Sequence, residues 1–171
     1  MSAIYVCPLS HLPETVSRSG ARHVVTLINR DTPVTRPLDV DVANHLFLGI
    51  NDICEPADGM ICPAEEHVRE LLDFVAGWDR RAPIVVHCFA GISRSTAAAF
   101  SAYCAVRPDA DEGEIAARLR RRSPEATPNA RIVAMADAIL GRDGRMIRAV
   151  ERIGRGADGF EGTVFALRLD E

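Results

Sequence analysis

The sequence predicts an α/β fold, a single domain with a mostly parallel central sheet flanked by helices. Three observations carry this. Short apolar, β-branched runs alternate along the chain with helical patterns. Those runs are apolar throughout rather than at every second residue, as expected of strands covered on both faces. One of them ends at Cys88, crosses a tight loop with a glycine at 91, and enters a segment without a breaker until Pro108. With 171 residues the chain can bury a full core, and 1–171 is read as one domain, the tail 142–171 having no assigned role.

Taken in order, Ile4–Cys7 reads as a first strand, and His11–Ser17 as a short helix capped by Ser10, with Gly20 beyond its end. His23–Ile28 is a buried strand. Asn29–Pro37 is loop, punctuated by Asp31-Thr32-Pro33 and Arg36-Pro37. His45–Ile50 is a third strand running into the polar loop Asn51–Gly59. Pro63 opens a helix whose Val68, Leu71, Leu72 and Val75 repeat at the helical period, ending near Trp78. Pro83–His87 is the next buried strand. The helix from Ser95 through Val106 is apolar nearly all round, hence central. Asp111–Arg122 is a helix with a basic end (Arg118, Arg120, Arg121, Arg122), read as a solvated last turn complementing the dipole. Ala130–Leu140 is amphipathic and broken by Gly141 and Gly144. Arg145–Ile153 is a further short helix, Gly154–Gly162 is loose, and Thr163–Leu169 is an edge strand.

The strand–loop–helix at 84–106 has a chemical consequence. The first turn of a helix offers unpaired N–H groups and partial positive charge. A glycine-containing loop curls further N–H groups into the same anion-binding concavity. Arg94 adds a fixed charge and a fork that matches two phosphate oxygens. Thiols in such electropositive cups ionise readily, and the thiolate is the nucleophile. An arginine at a helix start opposes the dipole, so a purely structural reading of Arg94 is poor. In a parallel sheet the ligand sits at the carboxyl ends of the strands. The Cys88 loop and the Asp52 loop both follow strands, so both can meet at one edge. That loop holds three candidate acids, Asp52, Glu55 and Asp58. Asp52 follows its strand directly, whereas Asp58 beside Gly59 suits a solvated turn.

His87-Cys88, five residues, Arg94-Ser95 resembles the signature of the cysteine-dependent protein tyrosine phosphatases. The Ala90-Gly91-Ile92-Ser93-Arg94-Ser95 part is similar to the dual-specificity branch, and Pro128-Asn129 resembles the pair that starts its last helix. The similarity covers most of residues 1–140. The resemblance implies Cys88 as nucleophile and a phosphate-binding loop of Phe89, Ala90, Gly91, Ile92 and Ser93 closed by Arg94. It implies Ser95 as hydrogen-bond donor to the departing sulfur and Asp52 of the Asn-Asp pair as general acid, with Asp58 the alternative. His87 and Asn129 are supporting residues. No metal or other cofactor is needed.

Composition narrows the partners. A net charge of −4 gives no nucleic-acid footprint. All 20 basic residues are arginine, which with the alanine richness suggests a GC-rich bacterial genome. The five cysteines, Cys7, Cys54, Cys62, Cys88 and Cys104, follow no disulfide or zinc spacing, and no secretory or membrane segment is read, so a reducing cytoplasm is expected. The expected partner is a phosphorylated protein or a small phosphate ester. Other readings are a rhodanese-like sulfur transferase, which needs neither Ser95 nor an upstream Asp, and a weakly active phosphate-binding interaction module. Cys54 and Cys62 flank the acid loop and are candidate partners for an oxidised Cys88.

Overall fold

The computed structural model describes residues 2–171. Five strands form one sheet in the order β3-β2-β4-β1-β5: β1 Ala3–Pro8, β2 His23–Ile28, β3 His45–Gly49, β4 Ile84–Cys88 and β5 Phe165–Arg168. The first four pair in parallel, and β5 runs antiparallel along β1. β4 is therefore central, and its five residues are all buried.

One face of the sheet carries the main core beneath α2 (Glu65–Gly77), α3 (Arg94–Val106), α4 (Glu112–Arg122), α5 (Ala130–Leu140) and α6 (Arg145–Ile153). Every residue of α3 from Arg94 to Cys104 is buried, as its all-round apolar sequence requires. A smaller cluster on the other face packs Cys7, Val24 and Val85 beneath Leu12 and Val16 of α1 (Leu12–Ser19) and Val40 of the following loop. None of the described helices is long and apolar enough to cross a membrane.

Several local expectations are corrected. Ser10 caps nothing: Leu9–His11 is a 3-10 turn, α1 starts at Leu12, and the Ser10 hydroxyl donates to Glu161 Oε1 at 2.7 Å. Pro63 precedes its helix instead of opening it; α2 begins after Ala64, whose N–H donates to Nδ1 of His67. Asp111 is the cap of α4, accepting from the Glu114 N–H. The basic end of α4 is not simply solvated. Arg120 donates to the carbonyls of Ile153, Ala126 and Gly154.

The tail is integral to the fold. Met146 and Ala149 of α6 and Phe165, Leu167 and Leu169 join the main core. Buried Arg142 pairs with buried Glu112 at 2.6 Å and also donates to the Cys104 carbonyl, tying the start of the tail to α3 and α4. Residues 154–162, read as loose, are bonded to the 123–127 turn through Ala157 N–H to Pro124 O and Gly156 N–H to Thr127 Oγ1.

Candidate active site

Cys88 closes β4, so the sheet fixes its backbone. The chain then turns through Gly91, at φ 72°. A side chain there would be strained, and its Cβ would lie 2.7 Å from the Pro8 nitrogen of β1. Two bonds converge on the Cys88 sulfur. The Gly91 N–H donates to Sγ at 3.2 Å, and Ser95 Oγ, in the first turn of α3, lies 3.1 Å from it.

The loop carbonyls are taken by donors from elsewhere in the chain. Phe89 O accepts from the Leu9 N–H (3.1 Å) and Ala90 O from the Gly162 N–H (2.8 Å). Ile92 O accepts from the Thr127 N–H (2.9 Å) and Ser93 O from the Asn129 N–H (3.2 Å). In a trans peptide the N–H points opposite to the C=O. A carbonyl held outward therefore turns the following N–H inward, which makes the loop an anion cradle.

Arg94 is buried at the cradle wall. Its Nη1 donates to Asn29 Oδ1 and to the Ile50 carbonyl, both at 2.8 Å, which fixes the guanidinium plane from β2 and β3. Its Nε, also buried, has no hydrogen-bond partner. A buried unpaired guanidinium N–H is costly, and an anion in the cradle is the ligand that removes the cost.

Asp52 follows the Ile50 position by two residues, and the loop bearing it is closed by Asn51. The Asn51 N–H donates to Ile61 O at 2.8 Å, and Asn51 Oδ1 accepts from the Ile61 N–H at 2.9 Å. Asp52 Oδ1 accepts from Ser93 Oγ of the loop at 2.7 Å and from Asn129 Nδ2 at 2.9 Å. The same Asn129 amide donates to Ile53 O and, through Oδ1, accepts from the Ile132 N–H as the cap of α5. Asp58 is exposed in a turn closed by the Met60 N–H on Ala57 O, and Glu55 is exposed as well. Of the three carboxylates, Asp52 is the one bonded to the Cys88 loop.

His87 points to the opposite sheet face from the core helices. Its Nδ1 lies 3.2 Å from the Cys88 carbonyl, an acceptor, so Nδ1 carries the proton. Nε2 must then accept from Thr26 Oγ1 (2.7 Å), and the Thr26 oxygen accepts from Nε2 of His45 (2.8 Å). The three side chains form one directed chain across β4, β2 and β3. Burial lowers the His87 pKa from 6.5 to about 4, against the opposing effect of its bond to the Cys88 carbonyl, so the ring is neutral at physiological pH. Burial also lowers that of His45, with the Arg36 charge adding to it.

The other thiols differ in setting. Burial pushes Cys7 and Cys104 up to about 12, whereas Cys54 is exposed and Cys62 half-buried.

Asn29, Thr26, His45 and Gly162 were not singled out by the sequence reading. Asn29 directly follows β2 at the carboxyl edge of the sheet, the criterion that selected Asp52, so that signal was present. Gly162 carries no local signal: its partner lies far away in sequence.

Residues 57–129 match the family model described as protein-tyrosine phosphatase. That segment holds α2, β4, the Cys88 loop, α3, α4 and Asn129. Comparison with curated proteins gave no match. Solved structures share the fold. PTP-2 phosphatase of Cydia pomonella is 19% identical, with a TM-score of 0.62 over 79% of this chain and 84% of that one. DUSP15 is 18% identical, with a TM-score of 0.60 over 88% and 96%. Human tyrosine phosphatase-like serine/threonine/tyrosine-interacting protein is 16% identical, with a TM-score of 0.60 over 83% and 97%.

The matched segment and the shared fold together support a cysteine-dependent phosphatase. The matched segment is similar to the protein tyrosine phosphatases, and the fold is similar to those of dual-specificity phosphatases.

Proposed function

We propose that the protein hydrolyses phosphate monoesters of proteins, phosphotyrosine or phosphoserine/threonine, through a cysteinyl-phosphate intermediate in the cytoplasm. The observation that carries this is the convergence on one cradle of Cys88 Sγ, the Gly91 N–H, Ser95 Oγ, the unpaired Arg94 Nε and the loop-bonded Asp52. The loop N–H groups and Arg94 hold the three equatorial phosphoryl oxygens as charge spreads over them. Cys88 Sγ attacks phosphorus as the ester oxygen leaves. Asp52 gives that oxygen its proton; Ser93 and Asn129 both occupy Oδ1, which leaves Oδ2 to carry it. Asp52 then takes a proton from the water that attacks the thiophosphate, and Ser95 Oγ donates to the departing sulfur. Phosphate and the alcohol or phenol are released. The cradle residues 89–93 carry no basic side chain, which favours a singly phosphorylated group over a multiply charged inositol phosphate.

Wild type and Cys88→Ser are assayed on phosphotyrosine peptide, phosphoserine peptide, inositol phosphates and, for sulfur transfer, thiosulfate. Cys88→Ser is expected to lose turnover and keep vanadate binding; near wild-type hydrolysis by this variant refutes the nucleophile. Asp52→Asn is expected to slow phenyl phosphate about 100-fold and to spare an ester of a very acidic phenol. Asp58→Asn should stay within about twofold of wild type on both, since an exposed turn carboxylate gives the ester no proton. The reverse pattern moves the acid to Asp58.

A further inference from the structure

We propose that residues 155–163 form a strap that holds the phosphate loop in its working shape, with Gly162 as the positioning residue. The inference rests on the phosphatase reading above and concerns a segment outside the matched residues 57–129.

The key element is one peptide plane. The Ala90 carbonyl accepts from the Gly162 N–H at 2.8 Å, while the N–H at the other end of that peptide, Gly91, donates to Cys88 Sγ at 3.2 Å. The peptide is trans, so fixing its oxygen outward aims its N–H inward at the sulfur. Without the Gly162 donor the outward carbonyl is unpaired, and the plane is free to rotate its N–H off the sulfur.

Gly162 is buried against the loop. A Cβ on it would lie 2.5 Å from the Gly91 carbonyl oxygen and 3.3 Å from Ile92 Cγ1. Its φ lies outside the left-handed region, so space rather than backbone freedom demands glycine. The strap is fastened on both sides of this contact. Glu125 accepts from the Thr163 N–H (3.2 Å) and from Thr163 Oγ1 (3.0 Å), and Glu161 accepts from Ser10 Oγ. Gly156 fits against the Glu125 backbone, where a Cβ would meet its carbonyl at 2.6 Å. Bonds to its own N–H, then to Thr163 and Ser123, outweigh partial burial and hold the Glu125 carboxyl below the usual carboxylate range, so it stays an acceptor at neutral pH.

The test uses the full chain and three variants. Gly162→Ala drives a Cβ into the Gly91 carbonyl oxygen, so the strap and the loop must part and the Gly162 N–H is drawn off Ala90 O. Glu125→Ala unfastens the strap without adding an atom near the loop. Phe160→Ala changes an exposed strap residue and serves as control. The readouts are the inhibition constant of orthovanadate, kcat and KM on an aryl phosphate with an acidic phenol, and the thermal midpoint. Gly162→Ala is expected to weaken vanadate and lower kcat by at least about tenfold while remaining folded, and Glu125→Ala to shift both the same way by about threefold or more. Phe160→Ala should match wild type. A folded Gly162→Ala with wild-type vanadate affinity and kcat overturns the proposal. If Gly162→Ala does not fold, wild-type constants in Glu125→Ala overturn it. Wild type that neither hydrolyses the aryl phosphate nor binds vanadate sinks the phosphatase reading itself.

Discussion

His87 shows how much one side chain can settle. Its neutral ring, held by burial at a pKa of about 4, donates to the Cys88 carbonyl and accepts from Thr26. Its folded pKa lies below the unfolded 6.5, so unfolding takes up a proton at mildly acid pH. The stabilisation is complete above about pH 6.5 and is lost as pH falls from there through 4. Between pH 7 and 5 the loss is about 2 kcal/mol for a shift of this size. Denaturant titrations of wild type and His87→Gln should show that extra loss in wild type alone; parallel pH slopes refute the assignment. The thiols divide on the same principle. Iodoacetamide at pH 8 should modify exposed Cys54 in the native protein, and Cys7 and Cys104, pushed up to about 12, only after denaturation; mass spectrometry reads this directly.

At the level of elements, the start of α5 does two jobs with one amide. Asn129 caps the helix through Oδ1 and holds Asp52 through Nδ2. Asn129→Ala should lose the cap, about 1 kcal/mol, and Asn129→Ser should recover most of that. Neither can hold Asp52, so both should slow phenyl phosphate hydrolysis while sparing an ester of an acidic phenol. Equal activity of Asn129→Ser and wild type on phenyl phosphate would show that Asp52 needs no such anchor. This element also marks how far the sequence could be read. The strand–loop–helix at Cys88, and the sheet that carries it, were legible because periodicity and the glycine turn are local properties. Asp52 was legible because it trails a strand. The Thr26–His45 chain and the Gly162 contact were not, since each is created by register and packing between distant segments. Ser10 misled for the opposite reason: it suits a cap locally, but a 3-10 turn intervenes and Glu161 takes its hydroxyl.

For the molecule as a whole, the tail is part of the core rather than an appendage. Burial alone would raise the Glu112 carboxyl, but its own N–H, Arg142 and Arg145 outweigh that and hold it below the usual range. Arg142→Ala takes away the buried partner of Glu112 and leaves only the half-exposed Arg145, so the cost should approach the about 3–5 kcal/mol typical of a broken buried pair. Denaturation should show a loss of that order, and Arg142→Ala/Glu112→Leu, which removes both charges, should recover part of it. A loss under about 1 kcal/mol would mean that the Arg142–Glu112 pair adds little to the attachment of the tail. The sheet order has a consequence for the chain in the making. β1 leaves the ribosome before the other four strands, yet it lies between β4 and β5, so it has no strand neighbour until Ile84–Cys88 emerges and its outer edge stays open until Phe165–Arg168 follows. Cys88 is thus translated well before the residues that complete its surroundings. A chain terminated before Phe165 is therefore expected to carry the signature without the outer strand that completes the sheet beside it.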